Sequence, residues 1–215
     1  MLKIKIKASD ITSLTDARYF AAKEVEWLCF NFTEGVASYI EPMKARAMIE
    51  WVEGVKIVGE FEHASADEIN FYTEGWGLGL VQLGSLTPIE TVQNVKNVAI
   101  IKEFIVEEFT NPDFLKKELT LFAPYVAAFQ LSFDKGGLSW EDLKSPSAML
   151  TLDDLREIAD EFNIILSINM ELDMLDEVLE MNPYGLDIKG GEEERVGVKS
   201  FDELDEILEA LEVLE

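Results

Sequence analysis

The sequence predicts an α/β protein, a single-domain TIM (β/α)8 barrel over residues 1–215. Eight short runs rich in β-branched and aromatic residues alternate with eight longer amphipathic runs, the pattern of parallel strands joined by crossover helices. Eight repeats leave about 27 residues for each unit, which is compact for this fold and leaves little room for a second domain. No low-complexity linker interrupts the series.

The elements follow one another in a regular order. The predicted strands cover residues 2–8, 27–32, 55–61, 78–83, 98–104, 126–131, 164–168 and 185–188. The predicted helices cover residues 14–23, 42–52, 66–73, 88–95, 113–122, 152–162, 172–181 and 201–214.

At several predicted helix starts the sequence has residues that are typical of helix N-termini. Thr12 or Ser13 is placed to cap the first helix, and Pro42 and Pro88 occupy first-turn positions. Ser200 precedes an acidic first turn, which complements the dipole of the last helix.

The longest irregular stretch covers residues 132–146 and contains Gly136 and Gly137. We expect it to form a mobile loop over one end of the barrel.

Charge and composition exclude several classes of function. Acidic residues outnumber basic ones by 43 to 18, and a formal charge of −25 repels nucleic acids and anionic lipids. No apolar segment reaches the length needed to span a bilayer, so we expect no membrane contact. Cys29 is the single cysteine and lies in an apolar run, which predicts a buried thiol, no internal disulfide and a cytoplasmic protein.

In a TIM barrel the loops that follow the strands carry the functional groups. In this chain those loops are polar and acidic, and they include Ser9, Asp10, Asp134 and the segment 189–199. The single histidine, His63, stands beside carboxylates in a spacing that matches no dedicated metal motif. We therefore expect neither a metal nor a cofactor.

Segments at both ends of the chain match a known pattern. Residues 7–12 read KASDIT, residues 187–191 read DIKGG and residues 197–200 read GVKS. Between them, VQL at 81–83 and IK at 101–102 keep the same register. Together these segments resemble the phosphoribosylanthranilate isomerase family, over nearly the whole chain. The resemblance implies the same barrel fold and an Amadori rearrangement in tryptophan biosynthesis.

The chain departs from the family pattern at positions that the resemblance makes catalytic. Ser9 falls where the family has the cysteine that acts as general base, and FQL at 129–131 stands where the general acid is expected. The glycines that follow strand seven in the family are replaced by SINM at 167–170, and Ser38 stands where an arginine is expected. Lys189, Gly190, Gly191 and Lys199 resemble the remaining part of the phosphate site.

Three functions remain open on this basis. The first is a diverged barrel that has lost the family's base and acid and binds a small phosphorylated or anionic metabolite through Lys189, Gly190, Gly191 and Lys199. The second is an active isomerase in which Asp10, next to Ser9, serves as base and Asp134 as acid. The third is a non-catalytic interaction scaffold. The sequence leaves the oligomeric state open, a homodimer included.

Overall fold

A computed structural model describes residues 2–190, 193–195, 198–199 and 201–213, with the backbone alone for 193–195 and 198–199. Eight parallel strands close into a barrel in sequence order, so that β1 pairs with both β2 and β8. The predicted TIM barrel is thereby confirmed. The strands are β1 (Lys5–Ser9), β2 (Trp27–Asn31), β3 (Lys56–Phe61), β4 (Leu80–Leu83), β5 (Ala99–Ile105), β6 (Ala128–Ser132), β7 (Ile164–Ser167) and β8 (Gly185–Lys189).

Helices surround the barrel in the expected alternation. They are α1 (Leu14–Ala22), α2 (Pro42–Ile49), α3 (Ala66–Trp76), α4 (Ile89–Asn94), α5 (Pro112–Phe122), α6 (Trp140–Lys144), α7 (Leu152–Glu161), α8 (Leu175–Glu180) and α9 (Asp202–Ala210). Short 3₁₀ turns at Ala123–Tyr125 and Leu172–Met174 follow α5 and precede α8. After β8, β9 (Glu193–Arg195) and β10 (Val198–Lys199) form a small antiparallel pair.

Local sequence explains most helix boundaries. Ser13, not Thr12, caps α1 by accepting a hydrogen bond from the Asp16 amide, and Pro42 occupies the first turn of α2 as expected. Pro88 lies one position earlier than predicted, as the N-cap of α4. Ser200 lies outside the described residues.

The segment 132–146 was predicted to be irregular, and that prediction is wrong in part. Ser139 and Asp142 form a capping box that starts α6 within it, and Trp140 packs into the core. Five residues are too few to give a clear helical period in the sequence, which explains why the helix was missed.

The main core lies between the barrel and its helices, where buried side chains from nearly every element meet. In the described part of the chain, no helix is long and apolar enough to cross a membrane.

Candidate active site

The inside of the barrel consists of an apolar layer and a polar layer. The apolar layer comes from inward-facing residues of β2 to β7, namely Trp27, Cys29, Val58, Leu80, Ile101, Ala128 and Ile165. Inward positions recur every second residue, and the next inward residue of each strand is polar. The polar layer contains Asn31, Glu60, Gln82, Glu103, Gln130 and Ser167, joined by Lys7 and Asp187, and all of these residues are buried.

The side chain of Lys7, on β1, forms ion pairs with residues of β3 and β8. Its Nζ lies 2.7 Å from Oε1 of Glu60 on β3 and 2.8 Å from Oδ1 of Asp187 on β8. Because β3 is not adjacent to β1, the ammonium must lie inside the barrel. Burial alone lowers the pKa of Lys7, but the Asp187 and Glu60 carboxylates outweigh it and hold the pKa well above its usual value.

The two carboxylates that share this ammonium differ in their surroundings. Asp187 also accepts hydrogen bonds from the hydroxyls of Ser9 at 3.0 Å and Ser167 at 2.9 Å. Among the described residues, Glu60 accepts a side-chain hydrogen bond from Lys7 alone. Burial raises the pKa of Glu60 by more than the Lys7 ammonium lowers it. Asp187 therefore has several donors, while burial favours the protonated form of Glu60.

A second carboxylate cluster occupies the wall formed by β5 and β6. Glu103 is fully buried and accepts a hydrogen bond of 2.6 Å from the Ser132 hydroxyl at the end of β6. Lys135 lies 2.8 Å from Glu103 and 2.9 Å from Glu62. Burial lowers the pKa of Lys135, but these two carboxylates outweigh it and raise the pKa. In the order of strands around the barrel, β5 lies opposite β1.

An ion pair lies at the rim between β6, β7 and β8. Lys189 contacts Oδ2 of Asp134, whose other oxygen lies 3.1 Å from the Ser167 hydroxyl, so that Asp134 and Asp187 share the single proton of that hydroxyl. Burial lowers the pKa of Lys189, and the carboxylates of Asp134 and Asp10 outweigh it, so that the pKa is raised. Asp10 has a left-handed backbone, with φ of 56°.

The structure brings together four of the residues predicted from the sequence. Ser9, Asp134 and Lys189 belong to one chain of contacts that runs through Asp187 and Ser167. Asp10 joins them through its charge on Lys189. Their catalytic and binding roles stay predictions.

Gly190, one of the two predicted phosphate-binding glycines, packs against the end of β1. The Gly190 amide donates a 2.8 Å hydrogen bond to the Ser9 carbonyl, and a Cβ at this position would lie 3.1 Å from the Asp10 carbonyl oxygen. Glycine thus allows β8 to end close against β1. Gly191 lies outside the described residues, and only the backbone of Lys199 is described, in β10.

Sequence reasoning did not select Lys7, Glu60 or Asp187 as site residues. Each belongs to a strand, whereas the search for site residues concentrated on the loops. The alternation of inward and outward residues along each strand did contain a usable signal. A charged residue at an inward position is costly to bury without a partner, so such a residue indicates a buried polar cluster inside the barrel.

No metal centre is apparent in the part of the chain that the structure describes, where no three histidine, cysteine or carboxylate side chains are placed to hold an ion. The single histidine, His63, is exposed. Burial raises the pKa of the Cys29 thiol well above its usual value, although the nearby Lys7 ammonium acts in the opposite direction.

Comparison with known proteins gives consistent results, although no family model matches the chain. An N-(5'-phosphoribosyl)anthranilate isomerase from Geobacter metallireducens is 30% identical over 204 residues, which cover 91% of this chain and 93% of the relative. The chain belongs to the phosphoribosylanthranilate isomerase family.

Solved structures agree with this assignment. The phosphoribosylanthranilate isomerase from Thermus thermophilus is 29% identical and superposes with a TM-score of 0.74 over 97% of this chain and 98% of its own. The isomerase from Thermotoga maritima, which is described as dimeric, is 20% identical and shares the fold, with a TM-score of 0.74 over 96% of this chain and 97% of its own. A phosphoribosylanthranilate isomerase in complex with reduced 1-(o-carboxyphenylamino)-1-deoxyribulose 5-phosphate also shares the fold, with a TM-score of 0.74.

The segments that carry the resemblance to phosphoribosylanthranilate isomerases meet in space. In the register of β1 with β8, Lys7 stands beside Asp187 and Ser9 beside Lys189. The two ends of the chain therefore build one wall of the barrel mouth.

Proposed function

We propose that this barrel is an aldose–ketose isomerase that carries out an Amadori rearrangement on phosphoribosylanthranilate, with its acid and base drawn from strand residues. The observation that carries the proposal is the pair of buried carboxylates on the Lys7 ammonium, Glu60 and Asp187, whose hydrogen-bonding environments differ. Pairs of this kind suit proton transfer in both directions. Membership of the isomerase family supports the reaction class.

The reaction needs an acid and a base. Protonation of the ring oxygen opens the aminoaldose, and removal of the proton at C2 then leads to the ketose. In our proposal Glu60, which is paired with Lys7 in the ligand-free protein, takes up a proton when the substrate enters and passes it to the ring oxygen, a step that burial favours because it raises the pKa of Glu60. Ser9 accepts the C2 proton as its own hydroxyl proton moves to Asp187, to which it is already hydrogen-bonded at 3.0 Å.

The rim offers a second pair for the same reaction, the one expected from the sequence. Asp10 as base and Asp134 as acid both lie near Lys189. In this alternative the acid and the base would come from the loops after β6 and β1, in place of Glu60 and Ser9.

We place the substrate phosphate at the rim, near Lys189, Gly190, Gly191 and Lys199. Lys189 would have to exchange Asp134 for the phosphate, since the two are paired in this structure. This exchange would also free Asp134.

A fluorescence assay with phosphoribosylanthranilate tests the proposal. We expect turnover by the purified protein, and a loss of about 10²–10⁴-fold in kcat for Glu60→Gln and for Asp187→Asn. Asp10→Asn and Asp134→Asn serve as matched variants at the rim. If these two abolish turnover and the strand variants do not, the rim pair is the catalytic one. No turnover by the unaltered protein contradicts the proposal.

The hydrogen bonds that Ser9 and Gly190 make within the protein favour a second function. The Ser9 hydroxyl is engaged with Asp187 and the Gly190 amide with a backbone carbonyl, as expected if the family's chemistry has been lost. The barrel would then only bind a small phosphorylated or anionic metabolite. A ligand-dependent rise in Tm without turnover, abolished by Lys189→Ala or Lys199→Ala, would favour this function. No effect in either assay would favour the interaction scaffold.

A further inference from the structure

A cavity lies at the end of the barrel opposite the candidate active site. Its volume is about 590 Å³, within the range of sites that hold small molecules. Among the residues that line it, Lys5 begins β1 and Tyr184 directly precedes β8. Because the strands are parallel, their first residues lie at the end of the barrel away from Ser9, which ends β1. The cavity is therefore separate from the polar layer and the rim.

The lining of this cavity differs in charge from the rest of the protein. Acidic residues account for 43 of the 215 residues, yet none of the described residues that line the cavity is acidic. Two lysines, Lys3 and Lys5, line it instead. A local excess of positive charge in a strongly acidic protein favours an anionic ligand at this place.

The ammonium of Lys5 is held in place without being neutralised. Its Nζ lies 3.4 Å from the centre of the Tyr184 ring and 5.9 Å from the centre of the Trp27 ring. Ring faces attract an ammonium but carry no negative charge that would compensate it. In the part of the chain that the structure describes, Lys5 has no carboxylate partner and Nζ makes no hydrogen bond, so the side of the ammonium that faces away from the ring can donate to a ligand.

The remaining wall of the cavity is largely apolar. Phe162 and Leu179 pack against the main core and are only half-buried, so each keeps apolar surface for a ligand. Phe162 ends α7 and Asn182 follows the end of α8, which places the C-terminal ends of both helices at the cavity. Helix C-termini carry partial negative charge. The attraction for an anion must therefore come from the two lysines and not from the backbone.

We propose that this cavity binds a small carboxylate with an apolar body. The carboxylate contacts the ammoniums of Lys5 and Lys3, and the apolar body packs against Phe162 and Leu179. Such a ligand uses both parts of the lining, since a charged hydrogen bond and buried apolar area each contribute to affinity. A cationic ligand would meet two ammoniums. The inference goes beyond the proposed function and does not depend on it.

The test is a calorimetric titration of the purified protein with 2-naphthoate. The comparison ligands are 2-naphthamide, which has the same rings without the charge, and acetate, which has the charge without the rings. The variants are Lys5→Met and Lys5→Arg. Lys96→Met is the matched control, because Lys96 is exposed and precedes β5 at the same end of the barrel.

We expect 2-naphthoate to bind more tightly than 2-naphthamide or acetate does. Lys5→Met should weaken its binding by about 10- to 100-fold, because a charged hydrogen bond is lost. Lys5→Arg should retain most of the affinity, and Lys96→Met should not change it. For the unaltered protein, raising the salt concentration should weaken binding of 2-naphthoate and leave 2-naphthamide unaffected, because salt screens the attraction between charges.

Several results would overturn the inference. Equal affinities for 2-naphthoate and acetate would show an adventitious ion only, and equal affinities for 2-naphthoate and 2-naphthamide would show that the charge is not recognised. Equal effects of Lys5→Met and Lys96→Met would remove Lys5 from the site. Loss of binding in Lys189→Ala would place the ligand at the rim and not in this cavity. Turnover of phosphoribosylanthranilate is measured separately, so failure of the isomerase proposal would leave this inference standing.

Discussion

Lys7→Met removes the ammonium that contacts both Glu60 and Asp187, and its cost can be worked out from the structure. Asp187 keeps the Ser9 and Ser167 hydroxyls, whereas Glu60 loses its one described side-chain donor. Glu60 must then take up a proton in order to stay buried. For a carboxyl whose unfolded pKa is about 4.3, protonation costs about 1.36 kcal/mol per pH unit above that value.

The cost is therefore about 4 kcal/mol at pH 7.5 and about 1 kcal/mol at pH 5.0. The larger value agrees with the roughly 3–5 kcal/mol found when one partner of a buried ion pair is removed. The sign follows from linkage. In the variant the folded-state pKa of Glu60 lies above the unfolded value, so its contribution to stability is lost as pH rises.

Urea denaturation of both proteins at pH 7.5 and pH 5.0 measures this difference. Lys102→Met is the matched control, since Lys102 is also fully buried but donates to the carbonyl oxygens of Gly84, Ser85 and Glu103. Carbonyls do not titrate, so its cost should be the same at both pH values. A Lys7→Met cost that does not change with pH would refute the reasoning, and so would a failure of the added Glu60→Gln change to restore stability at pH 7.5.

Three other outcomes follow from the structure. If Glu60 is the acid, activity should decline as pH rises through its raised pKa, and Glu60→Gln should remove that limb of the pH profile of kcat. Gly136→Ala should destabilise the protein by about 1–3 kcal/mol in urea, because its Cβ would collide with the Val106 carbonyl oxygen. Gly75 lies in α3, where an added Cβ meets no atom within 4 Å, so Gly75→Ala should stabilise the protein by about 0.5–1 kcal/mol. Thr151→Ala removes the capping box of α7 and should cost about 1 kcal/mol, measured as a lower urea midpoint.

Each of these outcomes has a clear opposite. A pH profile that is the same in Glu60→Gln and the unaltered protein would exclude Glu60 as the acid. Equal stabilities of the two glycine variants would contradict the close approach at Gly136. For the cap, Thr151→Ser is the control, because it keeps the hydroxyl and should retain most of the stability.

The order of the elements was readable from the sequence, because it depends on local patterns. The eight strands and their helices follow the alternation of short apolar runs with amphipathic ones, and Ser13 and Pro42 mark helix starts by their own chemistry. The family followed from segments at β1 and β8. The helix α6 was not predicted, because a single short turn leaves no periodic signal in the sequence.

The composition of the site was decided by closure of the barrel. Lys7 meets Glu60 and Asp187, which lie 53 and 180 positions away in the sequence, and no local pattern links residues so far apart. The sequence by itself determined the fold, the family and the polar ends of the strands. Only the tertiary structure decided which of these charges share a partner, because the pairing of buried charges depends on which strands face each other across the barrel.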